Sequence, residues 1–180
     1  MIQTICLGHV LREAVTSPYR NLVTRPTGAA VRGRIERTMR DSGCHVALLD
    51  FSDVELLDLS CADEIVAKLL LLAAPSSESY VVLWGLHEDQ VEAIDHVLNH
   101  HRLAVAARSA GSPALDVLGA LDPDGRRAFA CVTERGPVNA GIVADALAWA
   151  EGRALRTLRS LAALRLVRAR GADFHPLLVA

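Results

Sequence analysis

The chain has 180 residues, of which 51% are hydrophobic and 22% are charged, so it can bury a core and is neither disordered nor fibrous. Aromatic residues make up only 4%, which argues against a stacking platform for single-stranded nucleic acid, and a formal charge of −2 excludes a protein that is basic throughout. The longest apolar run, Leu69 to Ala74, is far shorter than the ~20 residues of a membrane span. We therefore expect no membrane partner.

The cysteines and the N-terminus predict a cytoplasmic location. The four cysteines are scattered without a C-x-x-C pair, which is typical of reduced thiols. The N-terminus has no basic region, and Arg12 and Glu13 interrupt it before a signal-peptide core could form.

The first 121 residues alternate between strand and helix patterns. The predicted elements are an opening hairpin over 2–15, a helix at Asn21–Arg40, a strand at His45–Phe51, a helix at Ser60–Ala74, a strand at Tyr80–Trp84, a helix at Glu88–His101, a strand at Leu103–Ala107 and a helix at Pro113–Leu121. Continuous apolar strands of this kind are typical of sheets covered on both faces. We therefore predict an α/β sheet with crossover connections, forming a domain over residues 1–120.

The charge balance changes after residue 121. Residues 1–121 hold ten Lys and Arg and fifteen Asp and Glu, whereas residues 122–180 hold nine Arg and six acids. The turn-forming sequence Asp122-Pro123-Asp124-Gly125 marks the change and predicts a second domain over 122–180. Its periodicity predicts helices at 124–135, 139–149 and 152–165, then a hairpin over 167–179 with its turn at 170–173. Three helices and a hairpin in so short a segment describe a small, mainly α winged-helix domain.

The segment Leu48–Glu64 resembles the STAS family, of the anti-anti-sigma-factor type. The matching positions are Asp50 at the end of a strand, Val54 and Leu57 in a hydrophobic turn, Asp58 as the motif aspartate and Ser60 as the serine that is phosphorylated in the family. Leu59 stands where the family has a serine, and Cys61 where it has a glycine. The resemblance therefore implies a divergent α/β STAS-like domain, with Asp50, Asp58 and Ser60 as candidates for docking or phosphorylation.

Three interpretations of Ser60 remain open. As a phosphorylation site it would gain about −1.5 to −2 charge, favoured by a helix N-terminus and opposed by Asp58, Asp63 and Glu64. As a helix cap it would form a capping box with Asp63. The third interpretation is contact between this helix end and another anion, such as a nucleotide phosphate.

Arginines dominate the last predicted helix and the hairpin that follows. Arg153, Arg156 and Arg159 are three residues apart and lie broadly along one stripe, as a DNA recognition helix requires. Arg168 and Arg170 lie at the base of the hairpin. Two segments, Ile142–Leu147 and Arg156–Leu161, resemble the second and third helices of the winged-helix family of bacterial regulators. The alternatives are a winged helix that binds protein and a helix whose arginines only face solvent.

Catalytic and metal sites are not predicted. His96, His100 and His101 lack the glutamate of an H-E-x-x-H motif, and we interpret them as a surface cluster. The acidic loop that contains Asp50 and Asp58 has no nucleophile or base convincingly placed beside it.

The sequence thus predicts a non-catalytic regulatory protein without a cofactor. Its STAS-like domain would receive a signal or dock a protein partner, a kinase or an anti-sigma-type protein, and its winged helix would contact double-stranded DNA. The alternative is an anti-sigma-factor antagonist whose winged helix serves dimerisation or partner binding. The winged-helix resemblance also implies a homodimer.

Overall fold

A computed structural model of the chain describes residues 1–15, 20–72 and 79–178. The strands are, in chain order, β1 (Ile2–Cys6), β2 (Asn21–Leu22), β3 (Val46–Asp50), β4 (Leu56–Leu57), β5 (Tyr80–Leu86), β6 (Ala104–Ser109), β7 (Asp116–Gly119), β8 (Arg168–Arg170) and β9 (Asp173–His175). The helices are α1 (Leu7–Val15), α2 (Arg25–Ser42), α3 (Leu59–Ala62), α4 (Lys68–Leu72), α5 (Glu88–His101), α6 (Pro123–Arg135), α7 (Ala140–Leu147) and α8 (Glu151–Ala163), with a π-helical turn at Asp63–Ala67 between α3 and α4.

A five-stranded sheet forms the centre of the fold. Its order is β1-β3-β5-β6-β7; the first four strands are parallel, and β7 runs antiparallel to β6. The short strands pair separately, β2 with β4 and β8 with β9. The predicted α/β architecture is confirmed, and the sheet is mostly parallel. Within the described parts of the chain, no helix combines the length and apolar character needed to cross a membrane.

Each face of the sheet contributes to a different hydrophobic cluster, because successive side chains of a strand point to opposite faces. On one face, Leu49 and Leu83 belong to a buried cluster with residues of α1, α2 and α5. On the other face, Val46, Val82 and Ala106 belong to a cluster with residues of α6, α7 and α8. The C-terminal helices therefore form the second layer that covers the sheet.

The C-terminal segment has the predicted elements. The helices α6, α7 and α8 correspond to the predicted ranges 124–135, 139–149 and 152–165, and β8 and β9 form the predicted hairpin. Residue 179, where the prediction ended, lies outside the described residues. Between α6 and α7, Val138 exchanges two backbone hydrogen bonds with Phe174 of β9, at 3.0 and 2.7 Å. The hairpin is thereby joined to the loop that precedes α7.

Two predicted elements are wrong. Residues 2–15 form a strand and a helix instead of a hairpin, because Leu7, Val10 and Leu11 have helical spacing and are buried on one face of α1. The predicted helix at Pro113–Leu121 is the strand β7, whose Gly119 has φ +92°. A side chain there would lie 2.2 Å from the Leu103 carbonyl oxygen, so the strand pairing requires glycine.

Two other helices differ from the prediction at their ends. Residues 21–22 form β2, and α2 begins only at Arg25, followed by a proline in its first turn. The helix predicted at Ser60–Ala74 begins at Leu59 and contains the π-helical turn; residues 73 and 74 lie outside the described residues.

Candidate functional site

The turn before α3 is held together by Asp58. One carboxylate oxygen, Oδ1, accepts hydrogen bonds from the Cys61 N–H at 2.7 Å and from the Ser60 hydroxyl at 2.8 Å. The other, Oδ2, accepts from the Thr24 N–H at 3.1 Å, just before α2. Asp58 is thus the N-cap, and the capping box predicted for Ser60 and Asp63 is wrong. The aspartate is favoured because its two oxygens reach two backbone donors from different segments.

The electrostatics of this turn follow from its hydrogen bonds. Burial works against ionisation of Asp58, but the hydrogen bonds that it accepts outweigh this effect and hold the pKa of the carboxyl below its ordinary value. Burial, followed by the charge of Asp58, raises the pKa of the Cys61 thiol to about 12. The thiol donates to the Thr24 carbonyl oxygen at 3.0 Å. Cys61 is therefore a packing residue that fastens α3 to the loop before α2, and it is not a reactive thiolate.

An apolar surface lies beside Ser60. The Ser60 side chain is half-buried, whereas Leu59 and Leu56 are 51% and 46% exposed. Glu55 and Arg20 lie next in sequence to the short β2–β4 pair and form an exposed ion pair at 3.8 Å. Two exposed leucines close in sequence to Ser60, with an ion pair beside the β2–β4 pair, give apolar area that a protein partner can bury.

Glu64 lies in the π-helical turn and is only 3% exposed. Its carboxylate contacts Lys68 and lies 3.0 Å from an Arg25 nitrogen and 3.6 Å from an Arg32 nitrogen. Burial alone would favour the neutral acid, but hydrogen bonds from Lys68 and Arg25 lower the pKa of Glu64. Three cations around one buried carboxylate thus tie α2 to the π-helical turn and α4.

The neighbouring Asp63 is also paired. It lies 2.8 Å from Arg25 Nη1 and 2.7 Å from His101 Nε2 at the end of α5. Despite the opposing effect of burial, the hydrogen bonds from these two partners lower its pKa. Asp63 and Glu64, which were expected to oppose a phosphate at Ser60, thus both have cationic partners. The one local sign of this network in the sequence is the i, i+4 spacing of Glu64 and Lys68, and its other partners are distant along the chain.

Asp50 takes part in a separate turn at the end of β3. Its Oδ1 accepts hydrogen bonds from the Ser52 N–H at 3.0 Å and from the Ser52 hydroxyl at 2.6 Å. Gly85 packs directly on this pair, because a Cβ there would lie 2.1 Å from the Ser52 hydroxyl oxygen. No hydrogen bond within the described ranges joins Asp50 to Asp58 or Ser60. Asp50 shapes the loop and does not extend the Asp58 turn.

Two of the five candidate arginines have partners within the protein, although the Arg153 side chain stays 47% exposed. Arg153 donates to Asp124 at the start of α6 through Nε at 2.9 Å and stacks 4.6 Å from the Trp149 ring. Arg168 donates to the Pro176 carbonyl oxygen at 3.1 Å and is half-buried. The single basic stripe predicted over Arg153, Arg156 and Arg159 therefore begins one turn later.

The other three arginines face solvent. Arg156 and Arg159 are exposed on α8, and Arg170 is exposed at the end of β8. None of the three forms an ion pair with a described residue. The face of α8 opposite to Arg156 and Arg159 is buried through Ala154, Leu158 and Leu161.

Metal-ligating side chains are dispersed. The residues that the structure describes include no group of three or more His, Cys, Asp or Glu side chains placed to hold a metal ion. Among the histidines noted in the sequence, His101 pairs with Asp63, and His96 and His100 line a shallow depression along α5.

Comparisons with protein-family models, with curated proteins and with solved structures found no match to this chain.

Proposed function

We propose that the chain is a non-catalytic regulatory protein. In this proposal an α/β STAS-like domain (1–120) docks a protein partner near Ser60, and a winged-helix domain (122–180) contacts double-stranded DNA. The observation that carries the DNA proposal is the exposure of Arg156, Arg159 and Arg170 without ion pairs among the described residues. Unpaired guanidinium groups on one helix and the adjoining hairpin are suited to phosphates and to guanine edges.

The order of the C-terminal elements supports the winged-helix proposal. A helix, the short bridge at Val138, two more helices and an antiparallel hairpin follow one another, and the bridge joins the hairpin through Phe174. In the proposed winged helix, α8 would be the recognition helix and β8–β9 the wing. Arg153 and Arg168 then act as positioning residues, because one orients α8 against α6 and the other closes the hairpin.

The apolar surface around Ser60 supports partner docking. Leu56 and Leu59 would be buried by the partner, and Ser60, next in sequence to Leu59, donates a hydrogen bond to the Asp58 carboxylate. Phosphorylation of Ser60 would replace the hydroxyl that donates to Asp58 with a dianion beside a carboxylate. That repulsion would open the turn and alter the surface without a change of fold.

The test of DNA contact is binding to a short random duplex at about 50 and 200 mM salt. We expect wild-type affinity that falls steeply with salt and is lost in the double variant Arg156→Glu/Arg159→Glu. The matched control is Arg37→Glu/Arg40→Glu, which makes the same charge change at the same spacing on exposed positions of α2. Equal loss in both variants would show that binding follows net charge, and absence of wild-type binding at low salt would refute DNA contact.

The exposed leucines also favour a second candidate, an anti-sigma-factor antagonist that never contacts DNA. Under this proposal the charge reversal at Arg156 and Arg159 leaves binding to nucleic acid unchanged. Ser60→Asp weakens capture of the partner, whereas Ser60→Ala does not. Equal capture by both variants would mean that the only role of Ser60 is its hydrogen bond to Asp58.

A further inference from the structure

The edge of the central sheet at β7 is closed by side chains. Arg126 of α6 donates to the Val117 and Gly119 carbonyl oxygens at 2.5 and 3.0 Å. The N–H of Val117 donates to Asp116 Oδ1 and that of Gly119 to Asp95 Oδ1, each at 2.7 Å. All four outward backbone groups of these two residues are thus occupied, so this edge offers nothing to another strand.

The opposite edge, β1, is different. The Met1 carbonyl oxygen accepts from the N–H groups of His45 and Val46, so Met1 faces β3. Because alternate residues of a strand direct their backbone groups to the same side, the groups of Ile2 and Thr4 point away from the sheet. The one partner among the described residues is the Gln3 side-chain amide, which donates to the Thr4 carbonyl oxygen at 3.2 Å. An exposed glutamine amide can turn aside at little cost.

The composition of β1 does not protect it. The strand Ile2-Gln3-Thr4-Ile5-Cys6 contains no charged residue and no proline, the two devices that commonly prevent edge pairing. Ile2 is 53% exposed and Thr4 is exposed, whereas Ile5, on the opposite face of the sheet, is buried. Among the described residues, one edge is therefore closed by several side chains, and the other has a single side-chain partner and is partly apolar.

We propose that β1 pairs antiparallel with β1 of a second copy of this chain, giving a dimer with a continuous ten-stranded sheet. The twofold axis passes beside Gln3, so that Ile2 lies opposite the partner's Thr4 and the two residues exchange both backbone hydrogen bonds. A second copy suits this edge because antiparallel pairing of two β1 strands places no like charges opposite each other and covers Ile2 of both copies. This inference does not rest on DNA binding; it adds that α8 is presented twice, related by a twofold axis.

Sedimentation equilibrium over about 1 to 200 µM protein tests the dimer. We expect wild type to reach twice the monomer mass of 19.3 kDa. Thr4→Pro removes an N–H that faces outward and leaves the pairing with β3 intact, so we expect it to weaken the dimer at least about tenfold. Thr4→Val keeps the N–H and should dimerise as wild type does. Should Thr4→Pro fail to give a wild-type circular dichroism spectrum, Ile2→Lys/Thr4→Lys sets like charges across the axis and must give the same loss.

Cross-linking tests the register. In a Cys6→Ser background, Gln3→Cys places two thiols opposite each other at a non-hydrogen-bonded pair, a spacing that suits a disulfide. Thr4→Cys places its thiol opposite Ile2 and should not cross-link; the other native cysteines are buried. A wild-type protein that stays monomeric, a dimer that survives Thr4→Pro in folded protein, or cross-linking of Thr4→Cys in preference to Gln3→Cys would overturn the proposal.

Discussion

Replacing Asp58 with alanine is the sharpest test of how the turn before α3 is built. The substitution removes the acceptor for the N–H groups of Cys61 and Thr24 and for the Ser60 hydroxyl. Two consequences follow, the loss of the helix cap and the loss of the link between α3 and the start of α2. We expect both to lower the free energy of unfolding.

The magnitude follows from the hydrogen bonds. Loss of an N-cap costs about 1 kcal/mol. A hydrogen bond to an ionised acceptor is worth roughly 1.5 to 3 kcal/mol, and the lower end applies to the Thr24 contact because the Asp58 side chain is only partly buried. The expected total is about 2 to 3 kcal/mol, which for a chain of this size lowers the melting temperature by roughly 4 to 12 °C.

The assay is urea and thermal denaturation of Asp58→Ala beside Ser60→Ala. The serine variant removes a single donor and leaves both backbone hydrogen bonds of Asp58 in place, so its expected cost is at most about 1.5 kcal/mol. If Ser60→Ala costs as much as Asp58→Ala, or if Asp58→Ala changes stability by less than about 0.5 kcal/mol, Asp58 is not the cap and the reasoning fails.

Three further predictions concern other parts of the chain. Because the pKa of Glu64 is lowered, its carboxylate contributes fully to stability above pH 4.5, the ordinary pKa, and this contribution is lost as the pH falls through the lowered pKa. Glu64→Gln should therefore reduce the dependence of the free energy of unfolding on pH in the acid range, measured by urea denaturation. An unchanged pH dependence would contradict this prediction. Gly28→Ala should cost about 1 to 3 kcal/mol because its Cβ would lie 2.9 Å from the Glu64 Cβ, whereas Gly33→Ala, with open space around it, should be neutral or stabilising in the same melts. Arg126→Leu should open the β7 edge and cause association beyond a dimer in light scattering, whereas Arg127→Leu, with the same charge loss on an exposed position, should not.

The elements that the sequence predicts well are those determined by local pattern. The strands β3 and β5 are short apolar runs, and α8 buries Ala154, Leu158 and Leu161 at helical spacing. The strand β7 was missed because its conformation depends on pairing with β6 and on the positive φ of Gly119, and neither is visible in a local window.

The candidate site was predictable only in part. The sequence indicates that a helix begins near Asp58 and Ser60, but both residue types are good caps, and the choice depends on the distant Thr24 N–H. The surroundings of Glu64 depend on Arg25, which is 39 residues away in sequence. Local spacing rules do not cover contacts at this separation. The segment therefore looks acidic in the sequence, although some of its carboxylates are neutralised by cations from other helices.

The change of charge at residue 121 does not coincide with a boundary in the hydrophobic core. Charge separates an acidic segment from a basic one, whereas Val82 and Ala106 of the sheet share one buried cluster with Phe129 and Leu158 of the C-terminal helices. The charge change therefore marks a difference in surface and not a gap in the core. In the proposed regulator, α8 exposes its arginines on one side and packs into this cluster on the other. A partner whose binding shifts the strands of the sheet would thus affect α8, the helix proposed to contact DNA, through the side chains of this shared cluster.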